Sequence, residues 1–174
     1  RRQRQIPIRH TTKPQITPPN REKRHQQGLW WGAQQAVVDV IGSDHAPHTL
    51  EEKSANYPAS PSGMPGVQTM LPVMLDHVAA GRLSLLRLVD LFCAGPARLF
   101  NIVGKGRIAV GNDGDFTLVD LAAKRRILNE DMANLSGWTS FHEREVTGWP
   151  MATIIRGNIV MRDGEVSSGA VGQP

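Results

Sequence analysis

Residues 37–48 read Val-Val-Asp-Val-Ile-Gly-Ser-Asp-His-Ala-Pro-His. The first five are mostly β-branched and end at Gly42, a pattern that predicts a short buried strand of the parallel type. Directly after it stand a carboxylate, Asp44, and the imidazoles of His45 and His48. An α/β barrel carries its active site at the C-terminal ends of its strands, so this is where catalytic side chains would sit. Taken alone, residues 43–48 read equally well as a capped turn. Asp is common after a strand, and Asp-His-x-Pro-His matches no zinc spacing by itself. The segment 43–66 is polar and rich in Pro and Gly, and connections of that length are usually functional.

On either side of this stretch the pattern is helical. Residues 22–35 place Leu29, Trp30 and Ala33 at apolar positions of a helix. Val67, Met70, Leu71, Met74, Leu75 and Val78 recur at three- and four-residue spacing and predict a second helix, stopped by Gly81. Ser84 is placed to cap a third through Phe92. Pro96 suits the first turn of a short helical segment ending near Phe100. Residues 107–110, 116–119, 154–155 and 158–162 then read as short strands, with turn signals at 111–114 and at Arg156-Gly157. The order is strand, long loop, helices, strands. No internal repeat is present.

With 174 residues, 40% apolar and 21% charged, the chain fits one ordinary domain or a piece of a larger one. The charge is uneven. Residues 1–28 hold eight Lys or Arg against one acid, Glu22, a net of +7. The remaining twelve Lys or Arg face fifteen acids, a net of −3. The basic character therefore belongs to the leading segment, which is Pro-rich and lacks interleaved aromatics, and a nucleic-acid-binding module is disfavoured. No apolar run reaches the length of a membrane span, and no signal peptide is read. The single cysteine, Cys93, is expected to be a buried, inert thiol, and the expected location is cytoplasmic.

Longer motifs sharpen the reading. Val38 to Lys53, then Pro61-Ser62-Gly63-Met64-Pro65-Gly66-Val67-Gln68-Thr69, resemble the last barrel strand and following loop of the cyclic amidohydrolases, above all the dihydroorotase branch. Gly95-Pro96-Ala97-Arg98-Leu99-Phe100, Gly104-Lys105-Gly106-Arg107-Ile108, Gly111, Asp115 and Arg156-Gly157 fall where that family has later landmarks. The resemblance implies an α/β fold: the C-terminal portion of a TIM-like (β/α)8 metallo-hydrolase barrel, with part of a small β-sandwich domain. Residues 1–20 would be an irregular basic tail and 21–103 the last βα units. Residues 104–166 would be strands of the β-domain and 167–174 a tail.

It also implies an activity, the reversible conversion of N-carbamoyl-L-aspartate to dihydroorotate in pyrimidine biosynthesis, with a pair of Zn²⁺ ions as cofactor. Asp44 would be both metal ligand and proton shuttle. His48 would contact the substrate carboxylate, and the backbone at Ser62-Gly63 the pyrimidine edge. His45, adjacent to Asp44, reads as structural. Thr17 stands where the family places a substrate-contacting Asn, and its hydroxyl lacks the amide's paired donor and acceptor. That departure leaves room for hydantoinase-, allantoinase- or dihydropyrimidinase-like specificity.

The family's other metal ligands are not in the sequence. No His-x-His pair occurs anywhere. One carboxylate cannot hold two ions, since a catalytic zinc takes about three protein ligands plus water. The alternative reading is a non-catalytic, dihydroorotase-like structural partner. A homo-oligomer or aspartate transcarbamoylase is the protein partner such a chain would have, with no nucleic acid and no membrane. A parallel strand at 37–41 without neighbours would leave an apolar edge, so the chain alone is expected to aggregate or to need a complementing polypeptide.

Overall fold

The apolar repeat at 67–78 forms the helix that organises the molecule. The computed structural model describes residues 16, 23–56, 58–167 and 169. Within them, α1 (Lys23–Gln34), α2 (Leu50–Ser54), α3 (Val67–Ala79), α4 (Leu85–Val89) and α5 (Gly95–Leu99) precede an antiparallel sheet. The sheet has four strands, β1 (Phe116–Arg126), β2 (Glu145–Ile155), β3 (Asn158–Arg162) and β4 (Glu165–Val166), in the order β1-β2-β3-β4. The arrangement is a mixed helix and sheet architecture.

Helix α3 is the wall shared by two cores. On one side Met74 and Leu75 pack with Ala33 of α1 and with Leu83, Leu88 and Leu91. On the other, Val73 packs with Ile127 and Val146 of the sheet half. Leu75 and Leu91 are 2% and 0% exposed. Burial of each such side chain stabilises the fold by about 1.5–3 kcal/mol.

The third predicted helix is longer than its periodicity indicated. Ser84 caps it as expected, its hydroxyl accepting from the Arg87 N–H at 3.1 Å. The chain stays helical through Leu99, but residues Asp90–Ala94 form a π turn. Pro96 has no N–H to return to the preceding turn. Gly95 also lies so close to residue 39 that a Cβ would fall 2.1 Å from the Asp39 carbonyl oxygen. Arg87 ties this helix back to the 33–38 segment, donating to the carbonyls of Ala33 (2.6 Å) and Val38 and pairing with Asp90.

Two predicted strands are corrected. Residues 37–41 form no ladder, and Val37 is 64% exposed. Its neighbourhood is held by an Ile41 N–H to Leu91 carbonyl bond (3.4 Å) and by Val38 and Ile41 packing on the helical core. A β-branched run favours a strand, but a ladder needs partners on either side, and none lies there among the described residues. Residues 107–110 are likewise not a strand, and Ile108 is 85% exposed. Their loop is fixed by charge instead. Lys105 pairs with Asp113 (2.8 Å) and Asp115, and Asp115 accepts the Arg156 N–H at 2.7 Å. The turn 156–157 has positive φ at both Arg156 and Gly157, the geometry of a two-residue hairpin.

Strand β1 is far longer than its predicted core of 116–119. Between Asp120 and Lys124 it bulges against β2, and the Asp120 carboxylate accepts the N–H groups of Ala122 (2.8 Å) and Ala123 (3.1 Å) that the bulge frees. Opposite the bulge, Gly148 has φ +98°, and a Cβ there would lie 2.6 Å from Leu75 Cβ. Glycine lets the sheet close onto α3. Cys93 is exposed rather than buried, yet its packed surroundings hold the thiol above its ordinary pKa, away from thiolate chemistry.

Candidate active site

The Ser43–His48 stretch lies alongside residues 62–66. His45 and Met64 form a parallel bridge, and the Ala46 N–H donates to the Met64 carbonyl at 3.2 Å. The approach is tight, since a Cβ on Gly66 would sit 2.7 Å from the Ser43 carbonyl oxygen. Gly66 precedes α3 and has no side chain to cap it. His45 caps the helix instead, its Nδ1 accepting the N–H groups of Gly66 (3.1 Å) and Val67 (3.4 Å). An Nδ1 that accepts two N–H bonds leaves the proton of the neutral ring on Nε2, so His45 has no free lone pair for a metal.

Asp44 is exposed and lies between two anchored residues, with φ +45°. This left-handed conformation is uncommon for a side-chain-bearing residue, and such strain clusters at functional sites. Its carboxylate makes no hydrogen bond or ion pair among the described residues. It is held on a fixed backbone and left open to a ligand.

His48 is fixed from several directions. Its carbonyl accepts the Trp138 indole N–H at 2.7 Å, and its Nδ1 lies 3.7 Å from Glu52. Glu52 closes a capping box with Thr49 at the start of α2, a helix not foreseen inside the long loop. The Thr49 N–H holds the Glu52 carboxyl below its ordinary pKa against the opposing effect of burial. The Thr49 hydroxyl and His48 add to the lowering, so an anion stays beside the His48 ring.

Gly63 is buried, with φ +131°. A Cβ at this position would meet the Ala46 carbonyl oxygen at 2.6 Å and His48 Cδ2 at 3.3 Å. Only glycine fits here. Its carbonyl and that of Pro61 receive the Lys53 ammonium, at 3.0 and 2.8 Å. Ser62, between them, is exposed. The fold therefore brings His48, Ser62 and Gly63 into one neighbourhood that begins at Asp44. Thr17 lies outside the described residues.

Three supporting residues carried no role in the sequence reading. Lys53 is 1% exposed, and its only signal was its place within the quoted motif. Trp138 is 2% exposed and sits in a segment without periodicity. Gln68 reaches the same segment, its amide donating to the Asp131 carbonyl (2.7 Å) and accepting the Ala133 N–H (2.9 Å).

Among the described residues no three His, Cys, Asp or Glu side chains are grouped so as to hold a metal ion. Asp44 is a suitable oxygen donor, but it does not make a two-ion centre, and these residues do not fit the zinc pair on their own. No helix among them is long and apolar enough to cross a membrane.

Comparison with known proteins agrees with the motif reading. Residues 17–160 match the model of the amidohydrolase family. The chain is 42% identical over 132 residues to a dihydroorotase of Methanothermobacter thermautotrophicus, covering 76% of this chain and 31% of that protein. It is 39% identical over 158 residues to a dihydroorotase of Halobacterium salinarum, covering 91% and 37%. Among solved structures, the L-hydantoinase (dihydropyrimidinase) of Arthrobacter aurescens superposes with a TM-score of 0.85 at 34% identity, over 90% of this chain and 36% of that one. The chain thus spans about a third of the length of the curated relatives it matches. By this match, and by the motif that places Asp44 and His48, the chain belongs to the amidohydrolase family.

Proposed function

We propose that this chain supplies part of the active site of a dihydroorotase-type cyclic amidohydrolase, in which residues 37–48, unladdered among the described residues, pair as the last strand and loop of a (β/α)8 barrel once neighbouring strands are present. The observation that carries the proposal is the exposed Asp44 carboxylate on left-handed backbone, beside a loop closed by His48 and Gly63. Identity to two dihydroorotases supports the substrate class.

In the hydrolytic direction a water oxygen bonds to the ring amide carbonyl carbon as the carbon–nitrogen bond breaks. Asp44 accepts the water's proton and returns it to the departing nitrogen, which is base and acid catalysis by one group. The ring opens to a single product that carries a carboxylate, formed as the water's second proton leaves to solvent, and a carbamoyl NH2 that holds the proton passed by Asp44. His48 receives the substrate carboxylate, and the backbone at Ser62-Gly63 meets the ring edge. Thr17 would supply a hydroxyl in place of an amide. Zn²⁺, proposed for the whole protein, would take Asp44 as one ligand, and its remaining ligands would come from outside the described residues.

A hydantoinase-like ring specificity is the second reading, favoured by the superposition on an L-hydantoinase and by Thr17. Turnover of dihydroorotate and of hydantoins should be measured on the chain alone and with a polypeptide supplying the remainder of a dihydroorotase. Dihydroorotate hydrolysis that Asp44→Asn lowers by about 10²–10⁴-fold, with assembly intact, is the expected result. Undiminished turnover in that variant removes Asp44 from the mechanism. A zinc-loaded, assembled sample inert towards every ring amide points to a structural partner.

A further inference from the structure

Lys53 is almost wholly buried, and the proposed reaction gives it no part. Its ammonium donates to the carbonyls of Pro61 and Gly63, and its own carbonyl accepts the Ser60 hydroxyl at 3.4 Å. The loop 60–63 is thus gathered around one residue, with the Pro61 and Gly63 carbonyls on its side chain. Burying an ammonium is costly, and burial does lower the Lys53 pKa. An apolar side chain would fill the same space without that cost. What the ammonium adds is direction. In a trans peptide the carbonyl and the following N–H point oppositely. Turning the carbonyls of Pro61 and Gly63 towards Lys53 therefore turns the N–H groups of Ser62 and Met64 away from it. Gly63 is at the same time pressed against Ala46 and His48, and the Met64 carbonyl is fixed by the Ala46 N–H.

We propose that Lys53 is a positioning residue: its grip on the Pro61 and Gly63 carbonyls fixes the backbone that the 61–64 loop presents beside His48, and so sets affinity for the ring substrate rather than the rate of bond cleavage. This rests on the cyclic-amide reading of the site. The test compares Lys53→Met and Lys53→Arg with the wild type in the assembled, active sample. It reads KM, kcat and hydrogen exchange of the loop amides. Lys53→Met should raise KM about tenfold or more, the loss of a charge-assisted hydrogen bond, with kcat little changed. Exchange should quicken at residues 60–64 and not in α3. Lys53→Arg, which keeps the donors, should recover most of the affinity.

A fall in kcat at unchanged KM would overturn the proposal, as would native KM and native loop exchange in Lys53→Met. If Lys53→Met does not fold, Lys53→Gln takes its place, keeping a shorter neutral donor. A folded Lys53→Gln protein with native KM and native loop exchange overturns the proposal, and one with raised KM and quickened exchange at residues 60–64 supports it. A wild type inactive on every cyclic amide defeats the functional reading itself, which is distinct from an active wild type that tolerates the loss of Lys53.

Discussion

Asp44 shows how a single residue trades stability for availability. Its neighbours are anchored, Ser43 under Gly66 and His45 on the α3 N-terminus, while its own backbone is left-handed and its carboxylate unpaired among the described residues. The left-handed conformation costs a side-chain-bearing residue about 1 kcal/mol or more, and glycine nothing. Asp44→Gly should therefore stabilise the fold by about 1 kcal/mol while abolishing turnover. Thermal unfolding should show a rise of about 2–4 °C. A lowered midpoint would mean that the carboxylate supports the fold. The motif made Asp44 and His48 legible because their chemistry and spacing are local. Lys53 and Trp138 were illegible because their partners lie 8, 10 and 90 residues away.

Among the elements, the contact of β2 with α3 is the most exacting. The bulge around Asp120, the positive φ of Gly148 and the close seat of Leu75 form one device. Gly148→Ala would place a methyl carbon inside Leu75 and strain the backbone as well. It should cost about 1–3 kcal/mol from overpacking alone, measured by urea unfolding. A neutral result would mean that the sheet can slide off the helix. The helices themselves were readable: α1 and α3 follow their apolar spacing, and Ser84 caps the third where expected. Strand β2 was recognised only at residues 154–155, because Gly148 and Pro150 interrupt any alternation.

At the scale of the whole molecule, the helical and sheet halves are joined through Asp76 on α3. Its carboxylate accepts from the Arg144 guanidinium at 2.8 Å and from the Thr147 N–H at 3.1 Å. Burial acts to raise the Asp76 pKa, but the Arg144 bond, the Thr147 N–H and the charge of Arg144 outweigh it and hold the carboxyl below its ordinary value. A carboxyl whose pKa is lower folded than unfolded adds stability that is complete above the ordinary carboxylate range. That stability is lost as pH falls through the folded value. Midpoints measured against pH should drop below about pH 4, and Asp76→Asn should flatten that acid limb. An unchanged acid limb would assign the loss to other carboxylates. Exposed Leu86, Val103 and Ile108, at 85%, 93% and 85%, leave apolar surface on the same molecule.

The sequence by itself determined α1, α3 and the capped start of α4, the Arg156-Gly157 hairpin turn, the family and the Asp44–His48 motif. A helix closes its hydrogen bonds within four residues, and a turn within two, so the information is local. Only the tertiary structure decided that residues 37–41 and 107–110 form no ladder, that His45 caps α3, and that a buried lysine meets the carbonyls of Pro61 and Gly63. Each of these depends on a partner distant in the chain. Without a neighbouring strand a β-branched run has no ladder to join, and the Lys53 ammonium is buried where the folded chain brings the carbonyls of Pro61 and Gly63 to receive it.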